Sequence, residues 1–229
     1  MIDELIQEQI EYYCQRAPEY DEWFYRIGRY DRGAKHNQRW FDEIKIVQKK
    51  LQEFAPQNDI LELACGTGIW TQELLKIGDK ITAIDISPES ILLNKKKLKS
   101  PKVKYKKLDL FEWEPEAEYD FLFLAFWLSH VPPQKLDDFL EKVGRSVKSG
   151  GRIFIVDSQF HATSTARNHQ IKDDGKIYQS RKLNDGRTFQ VIKVYNSAEY
   201  LASKLKKFGF EMEANTTERY FVYPLGTKI

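Results

Sequence analysis

The stretch ILELACGTGIW, Ile60–Trp70, decides the fold. Strand-forming residues run into Gly66-Thr67-Gly68, and the chain then turns helical. Glycines at that turn let the main chain bend sharply and come close to a ligand. A phosphate-cradling nucleotide loop would need Gly-Lys-Ser/Thr after the bend. Gly68-Ile69-Trp70 excludes it. A dinucleotide loop wants a third glycine where Thr71 stands, so that reading is weakened. Working outward, strand and helix alternate. KITAID reads as a strand, and Ser87-Pro88-Glu89 starts a helix with Ser as its cap and Pro in its first turn. KVKYKKL and the apolar run YDFLFLAF read as strands, PQKLDDFLEKVGRSV as an amphipathic helix, and RIFIVDS as a further strand after Gly150-Gly151. TQELLKIG reads as a helix stopped by Gly78. Such alternation predicts a parallel sheet with helices on both faces.

Two regions stand outside this rhythm. Residues 1–54 read as helical and rich in aromatics. Beyond Asp157 a polar loop is expected over 158–175. A hairpin over 176–195 follows, turning at Asn184-Asp185-Gly186. Ser197 caps a last helix ending at Gly209, and FEMEANT and RYFVYPL read as closing strands. The 229 residues are 41% hydrophobic and 31% charged, enough apolar material for a sizeable core. A net charge of +2 advertises no polyanionic partner. Cys14 and Cys65 are too few and too far apart in sequence for a disulfide framework, which fits a reducing compartment. The apolar run Phe121–Leu128 is too short to span a bilayer and no signal pattern opens the chain, so a cytoplasmic protein without membrane attachment is expected.

Glu62, Ala64, Gly66 and Gly68 fit the form E-x-A/G-x-G-x-G that lies under the amino-acid arm of S-adenosylmethionine. From Asp59 to its end the chain resembles the class I S-adenosylmethionine-dependent methyltransferases, in particular the small-molecule, type 11/12-like group. LELACGTG, AIDIS, KLDLFEW, YDFLFLAFWLSHVP and Gly150-Gly151 before RIFIVD follow that family's five motifs in order. The resemblance implies a Rossmann-like doubly wound α/β fold. Its sheet would have seven strands in the order 3-2-1-4-5-7-6, the last antiparallel. An N-terminal helical lid (1–54), a methyltransferase domain (55–229) and a hairpin insertion (176–195) would complete the chain. It also implies S-adenosylmethionine as cofactor, with S-adenosylhomocysteine as product.

Asp85, at a strand tip 19 residues after Gly66, is placed to accept from both ribose hydroxyls. The resemblance gives Asp109 to the adenine amino group, Glu62 to the ammonium end of the cofactor, and Ile86, Leu110 and Ala125 to its surroundings. His130 is the candidate general base. Methyl transfer needs a base only when the attacking atom arrives protonated, so a positioning role is its alternative. Tyr25, Arg29 and Tyr30 are candidates to line the acceptor site from the lid, and His161 and Arg167, with His169, from the later loop. No acidic pair marks a metal site. The lysines of Lys95–Lys107 read as protection for an edge strand, which makes nucleic acid an unlikely partner. Transfer of a methyl group to a small-molecule acceptor is the expected function. An RNA or protein methyltransferase and a non-catalytic cofactor-binding module are the alternatives. The sequence names neither the acceptor, nor the atom methylated, nor an oligomeric state.

Overall fold

The computed structural model describes residues 2–169 and 176–229; residues 170–175 of the expected loop lie outside the described residues. The chain opens with helices α1 (Ile2–Arg16), α2 (Tyr20–Phe24) and α3 (Ala34–Gln52), joined through short 3-10 turns. Then come β1 (Gln57–Leu63), α4 (Ile69–Leu74), β2 (Gly78–Asp85), α5 (Pro88–Leu98), β3 (Val103–Lys107) and β4 (Tyr119–Ala125). These are followed by α6 (Pro133–Arg145), β5 (Val147–Ser158), β6 (Tyr178–Lys182), β7 (Thr188–Ile192), α7 (Ala198–Lys206), β8 (Phe210–Glu213), β9 (Phe221–Val222) and β10 (Leu225–Lys228).

The main sheet runs β3-β2-β1-β4-β5-β10-β8, and β9 pairs with the end of β5. β1 to β5 are mutually parallel, and β10 lies antiparallel between β5 and β8. This is the order expected from the motifs. The closing text RYFVYPL is not one strand: it divides into the two-residue β9 and the start of β10, with Pro224 between them. Proline has no N–H for a ladder, so the chain breaks there. Gly78 opens β2 rather than ending a helix, because α4 closes at Leu74.

The strand pleat sorts an almost wholly apolar centre into two cores. Ile60, Ile81, Phe121, Phe123 and Phe154 face α3 and α4 with Trp40, Leu51 and Trp70. Leu61, Leu63, Leu122, Leu124, Ile153 and Ile155 face α6 and α7 with Phe139, Leu140 and Leu201. Each such side chain contributes about 1.5–3 kcal/mol by burial. The centre of the sheet is therefore rigid, and the strand tips at its carboxyl edge become fixed points for a site.

The β6–β7 hairpin forms a separate two-stranded sheet. It packs on α1 through Tyr12, Leu183, Phe189 and Val191. The segment before α3 is tied down by polar bonds. Trp23 Nε1 donates to Ser164 O at 2.9 Å, and Arg26 donates to Ser164 O and Thr163 O. Arg32 donates to the carbonyls of Ala162, Thr165 and Ala166. Among the described residues no helix is long and apolar enough to cross a membrane.

Candidate active site

Two cavities open at the carboxyl edge of the sheet and meet. The first encloses about 710 Å³ over the tips of β1, β2 and β4. Its walls include Ala64, Gly66, Asp85, Ile86, Asp109, Leu110, Ala125 and Trp127, with Gln9 and Ile10 of α1 above them. Ala64 and Phe126, one at the end of each central strand, hold left-handed backbone (φ 55° and 56°) although neither is glycine. Strain of this kind persists only where the surroundings enforce it. It turns both chains away from their strands and opens the crevice.

Asp85 is held by main-chain donors. Gly66 N–H donates to one oxygen at 2.8 Å and Ser87 N–H to the other at 2.9 Å. Burial raises its pKa, and these N–H groups oppose the rise. Phe111 N–H donates to Asp109 Oδ1 at 2.9 Å. Gly66 lines the cavity, but Gly68 does not. Gly68 caps α4 at φ 90°, where a Cβ would come within 2.5 Å of Asn94 Oδ1. Its absent side chain serves the turn and the packing of α5. In an adjoining recess of about 330 Å³, Glu62 lies beside Ala64, Cys65 and Trp70. Burial pushes its carboxyl up to about 8, and the Thr71 hydroxyl, donating at 2.7 Å, pulls the other way.

The second cavity, about 520 Å³, lies between α1, the loop after β5 and the hairpin. Arg16, Arg181, Lys193, His169, Tyr12 and Tyr30 are on its walls. Arg16 is only 8% exposed. Its guanidinium sits 4.9 Å from the Tyr20 ring and within 6.0 Å of Tyr12, Tyr13 and Tyr30. It donates to Tyr30 Oη at 3.1 Å, while its Nε and Tyr12 Oη are buried without a hydrogen-bond partner among the described residues. Lys193 Nζ donates to Ser129 Oγ at 2.8 Å and lies 3.7 Å from Asp157. Burial brings this ammonium down to about 8, against the pull of Asp157. His169 is held neutral, near 3, by burial and by Arg181, which donates to its Nδ1.

Tyr13, Tyr20, Phe126 and His130 line both cavities and form their shared wall. His130 has both ring nitrogens engaged, Nδ1 with Ile192 O at 2.6 Å and Nε2 with Tyr13 Oη at 2.8 Å. Burial, reinforced by Lys193, pushes its pKa well below 6.5. No ring nitrogen is left to take a proton from an acceptor.

Residues 60–151 match the family model described as a methyltransferase domain. The DhpI–SAH complex is 30% identical over 98% of this chain and 97% of its own, with a TM-score of 0.79. The DhpI–SAM–HEP complex is 31% identical over 97% of both, at 0.80. This chain belongs to the S-adenosylmethionine-dependent methyltransferases. Malonyl-[acyl-carrier protein] O-methyltransferase 1 of Ilyobacter polytropus is 37% identical over 116 residues, which is 48% of this chain and 41% of that protein. The chain spans about half the length of the curated relatives it matches.

The cofactor of this methyltransferase is S-adenosylmethionine, and the first cavity fits it on grounds of its own. Two strand-tip carboxylates and a near-bare main chain supply the polar partners. The buried indole nitrogens of Trp127 and Trp70, each without a partner among the described residues, leave donors on the walls of the cavity and its recess.

Of the expected acceptor residues, Tyr30 and His169 line the second cavity and the other four do not. Tyr25 is 44% exposed and packs on Phe24. Arg29 is spent on bonds to Lys182 O and Glu19. His161 turns to Thr163 and the Tyr220 ring, and Arg167 reaches Gly28 O from the surface. Arg29 and Arg167 serve the contact between the N-terminal segment and its neighbours instead. Tyr12, Tyr13, Arg16, Arg181 and Lys193 were missed. The signal available was helical spacing: Tyr12, Tyr13, Arg16 and Tyr20 recur at three- and four-residue steps on or just beyond α1, giving it a polar aromatic face.

Proposed function

We propose that this methyltransferase transfers a methyl group to an oxygen of a small acidic metabolite whose anionic head lies between Arg16, Arg181 and Lys193. The observation that carries the reading is Arg16: a buried guanidinium with no carboxylate partner among the described residues, on the wall of a cavity. A buried charge is costly unless paired, so this arrangement asks for an anion. The ammonium of Lys193 already faces Asp157, and His130 and His169 are neutral. Among the described residues, the charge without a carboxylate partner is then that of Arg16 and Arg181. A head with two negative charges, such as a phosphonate, a phosphate or a dicarboxylate, matches it. Tyr12 Oη adds an unsatisfied hydroxyl.

When bound, S-adenosylmethionine supplies an electrophilic methyl on a sulfonium. Asp85, Asp109, Glu62 and the main chain at Ala64 and Gly66 would hold it. The two arginines fix the acceptor by its head and so set the attacking oxygen at the shared wall. Such alignment is a large part of the acceleration open to a one-step displacement. An oxyanion arrives deprotonated and needs no base, which agrees with a His130 that has no free nitrogen. His130 is then a positioning group. The N-terminal segment, held over both cavities by Trp23, Arg26 and Arg32, keeps water out. Malonyl-[acyl-carrier protein] O-methyltransferase, by its name an O-methyltransferase, lends this reading support by likeness.

Isotopically labelled methyl donor and a panel of small phosphonates, phosphates, mono- and dicarboxylates, amines and RNA test it. Labelled methyl esters identified by mass are expected. Label confined to amines or RNA, or tight cofactor binding with no turnover on the panel, would overturn it.

A further inference from the structure

The hydrogen bonds along the shared wall have a direction. Ile192 O can only accept, so His130 Nδ1 carries the proton and donates to it at 2.6 Å. The imidazole is buried and held neutral, so its Nε2 is bare. Tyr13 is partly buried, and its phenol is kept protonated by desolvation. The 2.8 Å contact is therefore a donation from Tyr13 Oη to His130 Nε2. Gln9 Nε2 donates to His130 O at 3.1 Å and Ile192 N–H donates to Gln9 Oε1 at 3.1 Å, which fixes α1 against both partners. With its single proton turned to His130, the Tyr13 oxygen has only lone pairs to present where the two cavities join.

We propose that Tyr13 is a positioning residue for the methyl in flight, its oxygen receiving the polarised C–H groups of the sulfonium methyl while His130 sets the direction of its own proton. The inference rests on the acceptor being received in the cationic cavity, since only then is this wall the crossing point. A carbon bonded to a sulfonium is electron-poor, and C–H···O contacts to it are attractive. The demethylated product has no such methyl. Tyr13 thus favours the methylated cofactor over its product, a preference a purely packing residue would not create.

The test uses the full chain and needs no acceptor. Dissociation constants of S-adenosylmethionine and S-adenosylhomocysteine are measured by calorimetry for wild type and Tyr13→Phe. The proton shift of 13C-methyl-labelled S-adenosylmethionine is followed in the bound state. Tyr13→Phe removes one oxygen from a partly buried ring and is expected to lower the preference for the methylated form about two- to fivefold, with the methyl resonance moving upfield. His130→Asn keeps a donor for Ile192 O but is too short to present an acceptor where Nε2 met Tyr13, and should reproduce both changes. The double variant should add little to either. Equal loss of affinity for both ligands, with an unmoved resonance, would overturn the inference and leave Tyr13 a packing residue. If the acidic-acceptor reading alone is wrong, label goes to non-acidic compounds while the ligand preference still falls in Tyr13→Phe, which upholds the role of Tyr13.

Discussion

Glu62 gives a prediction whose size follows from its surroundings. The carboxyl is fully enclosed, accepts one hydrogen bond from Thr71, and is raised by burial from 4.5 to about 8, with a smaller push from Asp85. Between those values the folded chain keeps a proton that the unfolded chain has released. The stability contributed is therefore complete below about pH 4.5 and is lost as pH climbs through 8. A difference of about 3.5 in pKa corresponds to about 5 kcal/mol. Glu62→Gln cannot ionise, yet its amide oxygen still accepts from Thr71. Without cofactor, the variant and wild type should melt within a few degrees of each other at pH 5. At pH 9 the variant should melt about 10–20 °C higher, taking roughly 2–4 °C per kcal/mol for a chain of this size. Scanning calorimetry from pH 5 to 9 measures it. Parallel pH curves for the two proteins would refute the buried-carboxyl argument. S-adenosylhomocysteine should reverse the order at pH 8, because an ammonium beside Glu62 stabilises the charged form and Gln cannot answer it.

Three further outcomes are expected. Arg16→Met keeps much of the stem that packs among the tyrosines but removes the charge; the KM for an acidic acceptor should rise about 30- to 1000-fold. Calorimetry should find its affinity for S-adenosylhomocysteine within threefold of wild type. Gly68→Ala places a Cβ against Asn94 at φ 90°, and chemical denaturation should find a loss of about 1–3 kcal/mol. Arg32→Ala removes donors to the carbonyls of Ala162, Thr165 and Ala166, so hydrogen exchange in residues 162–166 should quicken severalfold while the amides of β4 stay protected.

Legibility of the fold followed its physics. The sheet was readable because each central strand carries a short apolar run, with turn and capping signals between the runs, as at Ser87, whose hydroxyl accepts from Ser90 N–H. The strand tips carried Asp85 and Asp109 with them, since a residue at the end of a predicted strand has a predictable place. Tyr25, Arg29, His161 and Arg167 failed for the opposite reason. They lie on irregular backbone, where neither strand nor helix periodicity says which way a side chain turns. Arg181 and Lys193 had a period, that of a hairpin, but nothing local shows that α1 covers one of its faces. Such pairings across more than a hundred residues are decided by tertiary packing. The split of RYFVYPL at Pro224 is a local effect that proline alone carries, since it has no N–H for the ladder.

The second cavity has an unusual ownership. Of its walls, only Phe126 and His130 fall within residues 60–151, the part matched by the methyltransferase family model. On the proposed reading, choice of customer is written largely outside the stretch that carries the donor's strand tips, although Gln9, Ile10, Tyr13 and Tyr20 border the first cavity as well. Grafting the β6–β7 hairpin from another such protein, with Gln9, Ile10, Tyr13 and Tyr20 of the first cavity kept, should retarget the enzyme while its use of S-adenosylmethionine is left as it was.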